Sequence, residues 1–168
     1  MNFLKNLYNR PKTLISKENV FSILLILVIF LFDRFSKFYV LNNFSENVYY
    51  INDFLNFDLI WNTGIGFGLL SSKSNLIYNG ITLFIGCIIS LIFYIALKSD
   101  RKEKMIFLII IGGALGNFYD RIIYKAVPDF VDFHLGNFHW FTFNVADIFI
   151  TLGIIFYIMS GLFGGKHE

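Results

Sequence analysis

The sequence predicts an all-α membrane protein with four transmembrane helices, a small extracytoplasmic β-sheet, and a surface segment between helices three and four. Of its 168 residues, 56% are hydrophobic and only 15% are charged, which leaves more apolar surface than a water-soluble domain can cover. Four apolar runs lack the period-two alternation of barrel strands, so helices are favoured. The 14 Lys and Arg form no basic cluster that could track a nucleic acid and are nearly balanced by 12 Asp and Glu, so no nucleic-acid partner is expected.

The apolar runs are interpreted as helices of one integral-membrane domain that covers residues 1–168. The spans run approximately over residues 20–41, 76–97, 105–119 and 141–163. The first run gives a helix of about 33 Å, long enough to cross the hydrocarbon core. Asp33 and Arg34 directly follow its apolar core, where a cleaved signal peptide would carry small residues, so we expect this span to be retained.

Lysine and arginine concentrate on one side of the predicted membrane. They are Lys5, Arg10, Lys12 and Lys17 before the first span and Lys98, Arg101, Lys102 and Lys104 between spans two and three. The positive-inside rule therefore predicts that both termini are cytoplasmic. Residues 42–75 and 120–140 then lie outside, and β-prone pieces at 48–51 and 57–61 predict the small sheet there.

Polar residues gather at the outer ends of the predicted helices, although each costs roughly 2.5 to 3.5 kcal/mol near a helix centre. Asp33 and Lys37 are four residues apart and share a helix face, where they can pair. Gly112 and Gly116 have the spacing that lets membrane helices touch closely. The same helix ends with Asn117, Asp120 and Arg121. Packing and charge pairing explain each group separately, whereas a shared site near the outer surface explains them together.

Two further stretches bring polar residues to the same side. The stretch Asn62-Thr63-Gly64-Ile65-Gly66-Phe67-Gly68 is typical of a tight turn and lacks a phosphate-binding fingerprint. Before the fourth helix, Asn144 and Asp147 have the spacing of an N-cap and the third helical residue. Two more acids, Asp129 and Asp132, precede them among aromatic residues.

Paired carboxylates are the chemistry that this residue set favours. Serine catalysis is disfavoured because no G-x-S-x-G elbow or Ser-Lys pattern is present. His134 and His139 lack a zinc-binding motif, so we interpret them as interfacial aromatics beside Trp140 and expect no metal. Two carboxylates held close together cannot both ionise, so one can act as an acid while the other activates water.

Five motifs in order resemble the lipoprotein signal peptidase, or signal peptidase II, family of bacterial intramembrane aspartic proteases. They are Asp33-Arg34-Phe35-Ser36-Lys37, residues 62–68, residues 112–121, Val127-Pro128-Asp129-Phe130 and Phe143-Asn144-Val145-Ala146-Asp147. The resemblance runs nearly end to end. Arg34 and Ser36 stand where the family commonly has Gln and Thr, and Gly66 and Lys125 replace a usual Ala and Gly.

The resemblance implies a catalytic pair of aspartates. Asp147 matches the second family motif directly. For the first, Asp129 and Asp132 each precede a phenylalanine, and the family spacing of nine residues after Asp120 selects Asp129. The resemblance further implies that the following residues support the pair or hold substrate: Asp33, Lys37, Asn62, Gly64, Asn117, Asp120, Arg121 and Asn144.

The resemblance also implies the substrate and the setting. It points to removal of the signal peptide from diacylglyceryl-modified prolipoproteins, by cleavage N-terminal to the lipidated cysteine and without a cofactor. The expected partners are this prolipoprotein and membrane lipid, for a monomer in the bacterial cytoplasmic membrane with its active site toward the extracytoplasmic face. Two alternatives remain open: a small transporter subunit whose acids form a cation path, and a non-catalytic lipoprotein-binding membrane protein.

Overall fold

The computed structural model describes residues 16–64 and 75–163. In chain order the elements are α1 (Lys17–Asn43), β1 (Tyr49–Asn52), β2 (Leu55–Asn62), α2 (Asn75–Lys98), α3 (Arg101–Ile123), β3 (Val127–Leu135), β4 (Phe138–Phe143) and α4 (Val145–Phe163). The N-terminal cations before Lys17 and the glycine-rich residues 65–68 lie outside these ranges.

The part of the chain that is described contains four helices long and apolar enough to cross a membrane, and the predicted fold class is confirmed. Helix α3 lies at the centre, because 44% of its most apolar window is buried inside the protein, against 11% for each of the others. Its apolar residues Phe107, Ile110 and Ile111 pack with Ile89 and Ala96 of α2. The remaining apolar surface faces outward, as lipid contact requires.

Glycines on α3 allow its neighbours to approach closely. A Cβ atom at Gly112 would lie 2.9 Å from Cβ of Ile29, and one at Gly116 would lie 2.5 Å from Oδ2 of Asp33. Both positions therefore face α1, and the small-residue spacing identified in the sequence is a packing seam. At Gly113 a Cβ would meet the backbone oxygen of Ala146 at 2.5 Å, so α4 approaches α3 equally closely.

The four strands form one antiparallel sheet in the order β1-β2-β3-β4. The segment between α3 and α4 supplies half of this sheet, with Gly136 at φ +58° in the turn between β3 and β4. The sequence places the start of the fourth span at residue 141, but residues 141–143 belong to β4 and the helix begins at Val145. The aromatic run of β4 is apolar enough to extend a span by composition, although its backbone pairs with β3.

Candidate active site

Polar side chains from three helices and two strands meet at the end of the bundle nearest the sheet. Four of them form what we call the charged tetrad: Asp33, Arg34 and Lys37 of α1 and Asp120 of α3. Nζ of Lys37 lies 3.0 Å from Oδ2 of Asp33 and 2.7 Å from Oδ2 of Asp120. Arg34 donates to Oδ2 of Asp33 at 2.7 Å and to both carboxylate oxygens of Asp120.

The charged tetrad is balanced, and three of its four members are buried, while the side chain of Arg34 is 17% exposed. Asp33 and Asp120 are fully buried and Lys37 is 2% exposed. Two cations face two anions, so neither sign is left uncompensated, which is the condition for holding charges out of water. The guanidinium carbon of Arg34 also lies 4.9 Å from the centre of the Tyr119 ring. The tetrad therefore joins the C-terminal halves of α1 and α3.

A hydrogen-bond relay leads from the tetrad to α4. Nζ of Lys37 donates to Oδ1 of Asn117 at 2.8 Å, and Nδ2 of Asn117 donates to Oδ1 of Asp147 at 2.7 Å. Because an ammonium group can only donate, Lys37 fixes which end of the Asn117 amide faces Asp147. Oδ1 of Asp33 also accepts the backbone N–H of Ala146 at 3.0 Å, which satisfies an N–H in the first turn of α4.

Asn144 links the first turn of α4 to strand β3. Its Oδ1 accepts the backbone N–H of Asp147 at 3.2 Å, while Oδ2 of Asp147 accepts the backbone N–H of Asn144 at 3.1 Å. This reciprocal pair is a capping box, with aspartate at the third helical position. The side chain of Asn144 has a second role, since Nδ2 donates to Oδ1 of Asp129 at 2.6 Å.

The other oxygen of Asp129 is bound from strand β2. Nδ2 of Asn62 donates to Oδ2 of Asp129 at 2.9 Å, and Oδ1 of Asn62 accepts the backbone N–H of Gly64 at 2.8 Å. Arg121 donates to the carbonyl oxygen of Gly64, and Tyr78 of α2 donates to the carbonyl oxygen of Arg121 at 3.2 Å. The chain after β2 is thus bound to the end of α3, where it orients Asn62.

Burial and a neighbouring acid raise the pKa of Asp129. This carboxyl is 3% exposed. Its pKa rises from 3.8 to about 6, first because burial penalises the charged form and second because Asp147 carries like charge. The hydrogen bonds from Asn62 and Asn144 lower the pKa but do not offset these two causes. Asp129 is therefore an acid that can hold a proton well above the ordinary aspartate range.

Asp132 is turned away from Asp129. The two acids are three positions apart on β3, an odd interval, and successive residues of a strand point to opposite faces of its sheet. Oδ2 of Asp132 lies 2.7 Å from Nδ1 of His139, whereas Asp129 contacts Asn62 and Asn144. Of the two aspartates that precede a phenylalanine, Asp129 is therefore the one that adjoins Asp147.

Contacts within the described residues connect every residue that the sequence analysis selected for the site. Two contributors to the site, Arg34 and Tyr78, were not predicted from the sequence. In the sequence, Arg34 was noted as a charge after the apolar core of the first span and as a departure from the family pattern, although its position beside Asp33 was a usable signal. Tyr78 lies in an apolar run, where no local pattern distinguishes it. His134, expected at the interface, is 6% exposed and therefore buried.

Four helices of membrane-spanning length, with two aspartates joined through Asn144 at one end, define an integral membrane protein with paired carboxylates. A family model described as signal peptidase (SPase) II matches residues 25–163. The chain belongs to this family and is an aspartic endopeptidase of signal peptidase II type. The family resemblance found in the sequence is confirmed.

Relatives and solved structures agree with this assignment. The chain is 51% identical over 151 residues to a lipoprotein signal peptidase of Pelagibacter ubique, with 88% of this chain and 90% of the relative covered. It is 37% identical over 154 residues to a lipoprotein signal peptidase of Francisella tularensis subsp. novicida, with 86% and 93% covered. A solved bacterial membrane enzyme superposes with a TM-score of 0.68 at 26% identity, covering 88% of this chain and 92% of that chain.

Proposed function

We propose that Asp129 and Asp147 are the catalytic dyad of an endopeptidase that removes the signal peptide from diacylglyceryl-modified prolipoproteins. In this proposal cleavage falls N-terminal to the lipidated cysteine. The observation that carries it is the shared attachment of both acids to Asn144, which binds the carboxylate of one and caps the helix of the other. The names of the relatives supply the prolipoprotein substrate.

Every oxygen of the dyad accepts a hydrogen bond from an N–H group. Asn144 and Asn62 serve the two oxygens of Asp129, and Asn117 and the backbone of Asn144 serve those of Asp147. Amide N–H groups donate without taking up a proton. The proton of the dyad therefore exchanges between the two carboxyls, a bound water and the substrate.

The proposed mechanism uses this exchange of one proton between the two carboxyls, the bound water and the substrate. One carboxylate removes a proton from a water molecule held between the two acids, and the water oxygen bonds to the scissile carbonyl carbon. The C–N bond then breaks as a carboxyl gives a proton to the leaving amine. The raised pKa of Asp129 suits it to carry the shared proton at the start. Both products leave with the dyad again holding one proton, and no cofactor takes part.

The remaining site residues hold the dyad in place. The charged tetrad and Asn117 position Asp147 from α1 and α3, while Gly64 and Arg121 position Asn62. We assign these groups to support of the dyad, because their hydrogen bonds and ion pairs to one another lead to Asp147 and to Asn62.

An apolar cavity beside Asp147 suits the lipid-linked part of the substrate. It has a volume of about 460 Å³ and lies along β4 and α4. Its lining residues are Phe141, Thr142, Phe143, Asp147, Ile148, Ile150, Thr151, Leu152 and Ile154. Acyl chains or the apolar segment of a signal peptide can lie here while the scissile bond reaches the acid.

Charge distribution supports a dyad at the extracytoplasmic face. Lys98, Arg101, Lys102 and Lys104 lie at the junction of α2 and α3, and Asp120 lies at the opposite end of α3. The positive-inside rule places that cationic junction in the cytoplasm. We propose accordingly that both termini are cytoplasmic. We also propose that the chain acts as a single domain and as a monomer.

The test is cleavage of a purified diacylglyceryl-prolipoprotein by the detergent-solubilised protein, followed by gel shift. Asp129→Asn and Asp147→Asn are expected to abolish cleavage and retain wild-type helical circular dichroism. Asp132→Asn, on the same strand but facing away, is the matched control and is expected to cleave. Loss of activity in Asp132→Asn with an active Asp129→Asn would overturn the dyad assignment. A folded wild-type protein that never cleaves would favour the binding or transport alternative.

A further inference from the structure

The sheet carries a second group of polar side chains on the face that points away from Asp129. Asp132 and His134 are two residues apart on β3 and share this face, and His139 lies opposite on β4. Nδ1 of His139 is 2.7 Å and Nδ1 of His134 is 3.6 Å from Oδ2 of Asp132. One ligand atom from each of the three residues lies within 4.8 Å of the others. None of these residues contacts the proposed dyad in the described structure.

Two buried polar atoms near this cluster lack partners. Among the described residues, none forms a hydrogen bond with Nδ1 of His134 or with Oδ1 of Asn56. His134 is 6% exposed and Asn56 is 9% exposed, and Asn56 pairs with Asp132 in the β2–β3 register. Burying such atoms without a partner is unfavourable. A ligand bound beside Asp132 would satisfy His134 directly and could reach Asn56 through a water molecule.

We propose that Asp132, His134 and His139 bind a divalent transition-metal ion, with zinc as the best fit. Two imidazole nitrogens and one carboxylate oxygen are a preferred zinc donor set, whereas calcium and magnesium prefer oxygen alone. Tetrahedral zinc with bonds of about 2.0 to 2.1 Å holds its ligand atoms about 3.3 to 3.4 Å apart. The 3.6 Å separation from His134 meets this closely. The 2.7 Å separation from His139 requires a shift of about 0.6 to 0.7 Å, and that ring is exposed.

The ion would tie the ends of β3 and β4 together. His134 and His139 flank the turn at Gly136, and their rings stack at 5.4 Å between centres. A metal bond across this turn adds a link to the backbone ladder, the aromatic contacts and the contact between Asp132 and His139 that already join the two strands. The site is therefore structural, and it stands whether or not Asp129 and Asp147 carry the proposed catalysis.

The experiment is zinc titration of the full-length protein in detergent, purified through a tag without histidine and stripped with a chelator. Isothermal calorimetry is expected to give one Zn²⁺ per chain, and Ca²⁺ is expected to give no binding. His139→Ala is expected to weaken Zn²⁺ binding by at least about tenfold, the loss that even indirect disturbance of a zinc site produces. Asp132→Asn is expected to do the same. His167→Ala removes the third histidine of the sequence and is the matched control, expected to bind as the wild type does.

Thermal unfolding gives a second readout that does not depend on calorimetry. Zinc is expected to raise the unfolding midpoint of the wild type and of His167→Ala but not of His139→Ala, because only a ligand of the folded state stabilises it. His139 is exposed, so its truncation leaves the fold intact. Wild-type binding far below one ion per chain overturns the proposal, and so does equal zinc affinity in His139→Ala and the wild type.

Discussion

Replacing Asp129 by asparagine is expected to stabilise the protein near pH 7 while it removes activity. The pKa of this carboxyl is raised from 3.8 to about 6, by burial and then by the charge of Asp147. A raised pKa means that the folded state binds the proton more tightly than the unfolded state. The contribution of Asp129 to stability is therefore greatest below pH 3.8 and is lost as the pH rises to about 6.

The size of this loss follows from the two pKa values. The interval from 3.8 to about 6, at about 1.4 kcal/mol per pH unit, corresponds to about 3 kcal/mol at neutral pH. Asparagine cannot ionise and avoids this cost. It has only one acceptor oxygen, however, so it can serve Asn62 or Asn144 but not both, which costs about 1 to 2 kcal/mol. The net gain at pH 7 is about 1 to 2 kcal/mol, and at pH 4 the gain disappears.

The assay is thermal unfolding in detergent from pH 4 to pH 8, followed by the fluorescence of Trp61 and Trp140. The midpoint of Asp129→Asn is expected to lie about 3 to 6 °C above the wild type at pH 7 and at or below it at pH 4. Asp132→Asn is the control, since it loses the contact with His139 and gains no stability at pH 7. If the unfolding midpoint of Asp129→Asn at pH 7 is as low as that of Asp132→Asn, then ionisation of Asp129 does not destabilise the folded protein and the reasoning fails.

Three further substitutions test the surroundings of the dyad. Lys37→Met leaves the two buried carboxylates of the tetrad with one cation and should lower the unfolding free energy by about 3 to 5 kcal/mol, measured by denaturant titration; no loss would contradict a charge-balanced tetrad. Gly116→Ala forces a Cβ against Asp33 and should destabilise by about 1 to 3 kcal/mol, whereas Gly80→Ala, with nothing within 4 Å, should not. Asn144→Ala removes the cap of α4 and should lower the unfolding free energy by about 1 to 2 kcal/mol. It should also slow cleavage by up to about a hundredfold, because the two acids are no longer held in place. An unchanged cleavage rate would show that Asn144 does not position the dyad.

The sequence was sufficient to predict the four helices, because crossing lipid imposes a long apolar run that local composition reveals. The pairing of Asp33 with Lys37 was equally accessible, since residues four apart on a helix are neighbours. Prediction was poorer for the chain after α3. Phe141, Thr142 and Phe143 directly precede the apolar run of α4, and only their pairing with β3 shows that they belong to a strand.

Contacts across the bundle were beyond local sequence reasoning. The separation of Asp129 from Asp132 depends on strand alternation, which requires knowing that β3 is a strand. The role of Arg34 depends on Asp120, which is 86 residues away along the chain. His134 and His139 share no zinc motif, and they meet because the hairpin folds back between them. Such long-range contacts leave no periodic signal in one sequence.

The capping box at the start of α4 has a consequence for biogenesis. Asn144 starts this helix with the same side chain that binds Asp129, and Ala146 in its first turn is bound by Asp33 of α1. A nascent chain whose fourth helix has not docked therefore has no assembled dyad. Under the proposed function, a chain whose fourth helix is not yet inserted cannot cleave substrate, because its two aspartates have not been brought together.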